Sequence, residues 1–264
     1  MAITTFDGFI GAAKQYVSMA KTVTRTAVGA RWFSVFDVAG NPGAGVLAGT
    51  STTTGVVPTA ATAGFPKINA FGGGATGYLA QVDFGSSVAC RMKVFDMQWK
   101  GGAYAFNAST TGNTPASFSS RVPGGTDFKD NQIWLEQVTV GTGIQNVAVT
   151  YINQDGVAGR TTGTIATAVN IIGSLWQLPL QSGDAGVQGV TGVVGSVATA
   201  GTFNILVMRP MWSGRVRTAN DGGVHDLALT GMPPAYADGA HYLAIAPDST
   251  ATGIPEIELV IANG

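Results

Sequence analysis

A chain of 264 residues with 14 Lys+Arg against 15 Asp+Glu is nearly neutral, and its 11% share of charged residues is less than half the roughly 25% of ordinary globular proteins. No basic field is present to grip nucleic acid, a single cysteine (Cys90) excludes an intrachain disulfide framework and a cysteine zinc site, and no apolar run is long enough to cross a bilayer. With 38 glycines and abundant Ala and Thr, the composition suits a subunit whose surface is covered by neighbours rather than kept soluble by charge.

The opening residues lack the basic region, apolar core and cleavage site of a secretory leader, so synthesis in the cytoplasm is expected. Residues 4–22 are expected to form one amphipathic helix. Thr4 and Asp7 stand at capping-box spacing, and Phe6, Phe9, Ile10, Ala13, Val17 and Ala20 recur at helical spacing opposite Lys14, Gln15, Ser18 and Lys21. Such a helix packs on its own domain or docks on a neighbour. Thr26–Val38 holds the aromatic run Arg31-Trp-Phe-Ser-Val-Phe-Asp37 and reads as a strand, with a helical turn as the alternative. Residues 40–65, with Gly40-Asn-Pro-Gly-Ala-Gly45 and Pro58-Thr-Ala-Ala-Thr-Ala-Gly64, are too poor in large apolar side chains to build a core alone. They read as a linker or as an extended arm held by a partner. The expected organisation is therefore 1–65 as N-terminal helix, strand and arm, and 66–264 as body.

The body opens near Gly77. From Ser87 to Val94, Val88, Cys90, Met92 and Val94 alternate with Ala89, Arg91 and Lys93, the period of a strand with one wet face. Residues 101–127 read as loop with short strands. Gln132 to Ile165 is the clearest succession of strand, turn, strand, turn and strand; within it Asn153-Gln-Asp-Gly156 supplies the positive φ that a tight reversal needs. Ala166 to Leu180 reads as a short helix or another strand. Phe203–Met208, His241–Ile245 and Ile257–Ile261 are strands, the last with Glu256 and Glu258 on its wet face. The fold class is mainly β: a β-sandwich or jelly-roll-like body with one N-terminal amphipathic helix and an extended Gly/Thr/Ala-rich arm. No repeat of solenoid or propeller period occurs.

Sites of chemistry are sparse. His225 and His241 with Asp221, Asp226 or Asp238 match no metal-ligand spacing, and loop or strand-end histidines are the better reading. Gly72-Gly-Gly-Ala-Thr-Gly77 fits the dinucleotide fingerprint by letter, but strand-like sequence follows it where the phosphate-binding helix should start. Glycan cleavage needs two placed carboxylates, and Glu136, Glu256 and Glu258 are the only glutamates. Trp32, Trp99, Trp134, Trp176 and Trp212 read as core or interface anchors rather than a sugar-stacking surface. No catalytic, cofactor-binding or metal site is expected, and the chain reads as a non-enzyme.

Met1-Ala-Ile-Thr-Thr-Phe-Asp-Gly-Phe-Ile10, Ala39-Gly-Asn-Pro-Gly-Ala-Gly45, Thr150-Tyr-Ile-Asn-Gln-Asp-Gly-Val-Ala-Gly-Arg-Thr-Thr162 and Leu178-Pro-Leu-Gln-Ser-Gly-Asp-Ala-Gly-Val-Gln-Gly-Val190 together resemble a family of tailed-bacteriophage virion proteins. These are turn and strand phrases and carry no active-site residues. The resemblance implies a structural head protein, in particular a capsid decoration or cement protein on the virion surface, made in the bacterial host cytoplasm. It implies the major capsid protein as partner and a homo-oligomer (trimer or dimer), with neither nucleic acid nor membrane bound directly. A tail or fibre component and the major shell protein itself are the alternatives.

Overall fold

Two long apolar strands dictate the architecture. In the computed structural model, which describes residues 3, 5–72, 75–167, 171–195 and 200–264, β6 (Cys90–Ala105) and β14 (Thr202–Val216) run antiparallel from Thr202↔Ala105 to Val216↔Cys90. Bulges between Phe203 and Ile205, Val207 and Met208, and Pro210 and Trp212 re-aim the side chains along the pair. One ladder thereby serves three cores.

The first core is the inside of a barrel. From β14 the sheet passes to β8 (Gln132–Thr139), β12 (Ser174–Leu178), β2 (Trp32–Ser34), β17 (His241–Pro247) and β6, and the β6–β14 pairing closes the ring. Phe95, Trp134, Leu206, Met208, Tyr242 and Ala244 fill it. β4 (Ser51–Val56) is added to the side of β6.

Two further sheets flank the barrel. The terminal sheet has the order β15 (Asp221–His225), β5 (Gly77–Ser86), β18 (Pro255–Asn263), β1 (Lys14–Lys21) and β3 (Gly40–Asn41), with β16 (Pro234–Ala235) also on β5. Its inner face packs Val17, Val82, Phe84, Ile257 and Leu259 against Cys90, Met92, Val94 and Trp212. The hairpin sheet has the order β10 (Arg160–Thr161), β9 (Gln145–Asn153), β13 (Val187–Gly195) and β7 (Ser109–Thr110), with β11 (Ile165–Thr167) on β9. It packs Val147, Val149, Tyr151 and Val190 against Trp99, Phe203 and Ile205. The molecule is mainly β, two sandwiches sharing one barrel wall. Among the described residues the α-helices are short, α1 (Phe6–Gly11) and α2 (Leu227–Thr230), and single 3-10 turns lie at Ser119–Arg121 and Pro123–Gly125.

The expected helix over 4–22 is corrected. α1 stops at Gly11, Thr5 is its cap (its Oγ1 accepts from the Gly8 amide at 3.0 Å), and Thr4 lies outside the described residues. Lys14–Lys21 is instead the strand β1, paired with β18 from Lys14↔Ala262 to Ala20↔Glu256. Val17, Met19 and Lys21 are buried at the two-residue period of a strand, and of these only Val17 also belongs to the helical stripe. Burying Val17 and Met19 contributes about 1.5–3 kcal/mol each, whereas helix propensities differ by less than about 0.7 kcal/mol per residue, so the sheet wins.

The stretch 40–65 is held by this chain's own body. Trp99 Nε1 donates to the Thr54 carbonyl (2.9 Å), the Gly49 amide to Asn204 Oδ1 (2.8 Å), and Phe36 packs on Phe65 at 4.7 Å. Gly55, at φ +63°, lies flat on the Trp99 ring, where a Cβ would come within 2.2 Å of the indole. The expected division at residue 65 is crossed by the β1–β18, β2–β17, β2–β12 and β4–β6 pairings. Between Ala166 and Leu180 the described residues form strands, β11 and β12, with 168–170 outside the description.

Candidate functional site

The three glutamates weighed above for glycan cleavage separate at once. Glu136 on β8 points into the barrel and is fully buried; Tyr242 Oη donates to it at 2.6 Å and Asn204 Nδ2 at 2.7 Å. It is a structural acceptor. Glu256 and Glu258 stand on the wet face of β18, because Ile257 and Leu259 between them are drawn into the core. The register sets Glu258 directly opposite Asp83 of β5, and Glu256 opposite Gly85. A groove of about 560 Å³ opens over them, lined also by Ser86, Ser87, Asn220 and Asp221. Sequence reasoning missed Asp83; its signal was alternation in Leu79–Phe84, hidden by the bulge between Val260 and Ile261.

On the opposite side of the β6 ladder, Arg91 lies across from Arg215, and Lys93 follows two residues along on the same face. The Lys93 ammonium sits over Trp32 (5.1 Å), Trp134 (5.5 Å) and Phe95 (5.9 Å), and burial and the neighbouring Arg91 together lower its pKa. Of the tryptophans, Trp99, Trp134 and Trp212 are buried and Trp32 and Trp176 partly so, and they serve the cores.

The two histidines are far from one another in role. His225 Nδ1 accepts from Trp212 Nε1 (2.9 Å) and its ring meets Phe84 edge-on at 5.0 Å. His241 is buried beside Asp96 in a charged node that the sequence did not announce. Asp96 is bonded by Arg121, by Gln98 Nε2 (2.7 Å) and by the Ala240 amide (3.1 Å), with Arg209 at 3.5 Å. Arg121, wholly buried, also donates to the carbonyls of Pro58 and Met97. Burial alone would raise the Asp96 pKa, but Arg121 and Arg209 outweigh it and hold the carboxyl below its ordinary range. Burial pushes His241 down to about 4, Asp96 opposing and the two arginines reinforcing the shift, so the imidazole is neutral. Among the described residues no group of three or more His, Cys, Asp or Glu is placed to hold a metal. Gly77 opens β5 and no helix follows it; Gly73 and Gly74 lie outside the described residues.

Two of the motifs quoted above meet in space. Asp184, from Leu178–Val190, accepts from Tyr151 Oη (2.6 Å), Asn153 Nδ2 (2.8 Å) and Arg160 Nε (2.9 Å), all from Thr150–Thr162. The hydrogen bonds from Arg160, Asn153 and Tyr151 hold the Asp184 carboxyl at about 2. Gly156 (φ +81°) makes the turn, with its amide on the Asn153 carbonyl at 3.1 Å. The two phrases form a latch across Asp184.

No protein-family model matches the chain, and no curated protein does. Among solved structures, the infectious bursal disease virus VP2 subviral particle aligns at 10% identity over 96% of this chain and 81% of that one, with a TM-score of 0.20. The Gt strain of the same virus gives 10%, 96%, 81% and 0.19, and its T13 particle 10%, 96%, 77% and 0.19. Scores this low carry no argument about fold or function, and the architecture rests on the strand pairings described above.

Proposed function

We propose that this chain is a non-enzymatic structural protein of a bacteriophage virion, a decoration or cement protein that binds the major capsid shell as a homo-oligomer and stabilises it. The observation that carries this reading is the surface. On a scaffold with 11% charged residues, large apolar side chains stand out at many points, among them Phe6 (65% exposed), Tyr16 (66%), Val46 (69%) and Ile144 (67%). A surface this poor in charge suits burial against other subunits. The likeness of the latch phrases to tailed-bacteriophage virion proteins gives the assembly its kind. A cement protein that binds the closed shell and not its loose subunits stabilises it by mass action, by about 2.7 kcal/mol per site at a hundredfold excess over Kd.

Quantitative stoichiometry in purified particles tests the reading. Copies in fixed proportion to shell subunits, retained on tail-less heads, are expected. A few copies that leave with the tail would move the protein to the tail, and absence from both preparations would overturn a virion role. The purified protein is expected to cleave no glycan, and glycan cleavage abolished by Glu256→Gln or Glu258→Gln would overturn the non-enzymatic reading.

A further inference from the structure

The few charges of this chain are placed against their own interest. Asp83 and Glu258 face one another directly across β5 and β18, with Glu256 one row along, all three exposed. Arg91 and Arg215 face one another directly across β6 and β14, both exposed, with Lys93 one row along. Like charges directly opposite on a sheet are destabilising. Among the described residues the three acids are in no ion pair, and the basic strip meets one carboxylate, Asp248, 3.7 Å from Arg215. The two clusters have matching form, three acids against three bases.

They also look in opposite directions. Cys90, Met92 and Val94 pack on the inner face of the terminal sheet, so Arg91 and Lys93, which alternate with them, point away from it. Ile257 and Leu259 pack inward from the other wall, so Glu256 and Glu258 point outward. A sandwich about two sheets thick separates the clusters, and they cannot meet within one chain. The surroundings leave room for a partner. On the acidic side, Glu256 is followed across the sheet by Gly85 and Gly222, which have no side chains to cover it. On the basic side, Ala246 and Ala244 of β17 lie opposite Arg91 and Lys93.

We propose that copies of this chain associate head to tail, with the Asp83/Glu256/Glu258 face of one copy seated on the Arg91/Lys93/Arg215 strip of the next. Each contact relieves two like-charge pairs at once. Because the two surfaces differ, the association is heterologous and either closes into a ring or runs on as a filament. The inference goes beyond the virion reading and does not depend on it, since it concerns the purified chain alone.

Sedimentation of the full chain tests it. At about 0.05 M salt the wild type is expected to run well above its 26.9 kDa monomer mass, and at about 1 M salt, where charges are screened within about 3 Å, as the monomer. Asp83→Lys with Glu258→Lys, and separately Arg91→Glu with Arg215→Glu, should each hold the chain at monomer mass in low salt. Mixing the two variants should restore assembly, because each keeps the face that the other has lost. Circular dichroism melts confirm that both are folded, and the neutral pairs Asp83→Asn/Glu258→Gln and Arg91→Gln/Arg215→Gln replace either variant that is not. A wild type monomeric at both salts, assembly indifferent to either reversal, or a mixture of folded reversed variants that stays monomeric would overturn the proposal.

Discussion

The two flanking sheets use the same barrel wall and opposite electrostatics. In the hairpin sheet, Asp184 is enclosed by Tyr151, Asn153 and Arg160, so charge is consumed inside a local latch. In the terminal sheet, Asp83, Glu256 and Glu258 face outward with no cation beside them among the described residues. The hairpin sheet is joined largely by neighbours in sequence: β10 and β11 return on β9 directly. The terminal sheet joins the two ends of the chain, β1 to β18. Local chemistry closes one sheet; the other depends on contacts made only when the whole chain has folded.

The largest test of this contrast is Arg121→Ala. The node around Asp96 lies on the ladder that both sheets share, and removing Arg121 leaves a buried carboxylate short of its main partner. A loss of 3–5 kcal/mol is expected from urea unfolding (~3–5 on breaking a buried pair), with both sheets melting together. Separate melting of the two sheets in the wild type would break the idea of a common wall.

Acid should act next. His241 has a folded pKa of about 4, below the 6.5 of an unfolded imidazole, so the unfolded chain binds the extra proton between those values. Its contribution is fully present above pH 6.5 and is lost as pH falls toward 4, by roughly 3 kcal/mol. Asp184 is also depressed, to about 2 against 3.8, and its contribution is present above 3.8 and lost as pH falls through 2. Denaturant titrations should therefore show one decline between pH 6.5 and 4, flattened in His241→Leu, and a second below pH 3.8, flattened in Asp184→Asn.

Asp184→Asn at neutral pH sharpens the comparison further. It should cost a few degrees in Tm and speed amide exchange in β9 and β10 while leaving β5 and β18 unchanged. Equal loss of protection in both sheets would show the latch to be global. Asp83→Asn is the smallest and has the opposite sign. Relieving the Asp83–Glu258 pair should stabilise the dilute monomer by about 0.2–1 kcal/mol in the same unfolding assay.

Much of the candidate surface was half legible. Glu256 and Glu258 were visible on one strand face because Ile257, Leu259 and Ile261 alternate with them, and Arg91 and Lys93 were visible opposite Cys90, Met92 and Val94. Their partners Asp83 and Arg215 were not, because cross-strand register joins residues 175 and 124 positions apart in the chain. Asp96 carried a faint sign as a charge inside an apolar run, but nothing near it in sequence named Arg121 or His241.

What the sequence determined by itself was local: the reversal at Asn153–Gly156, the two-residue period of β6 and β18, and the mainly β class. These depend on φ preference and on which neighbours share a face, both written within a few residues. Only the tertiary structure decided that Lys14–Lys21 is a strand, that β8 and β9 part into different sheets instead of forming a hairpin, and that six strands close into a barrel. In each case a segment compatible with two local forms took the one that buried more apolar surface against a distant strand, an energy that no local window contains.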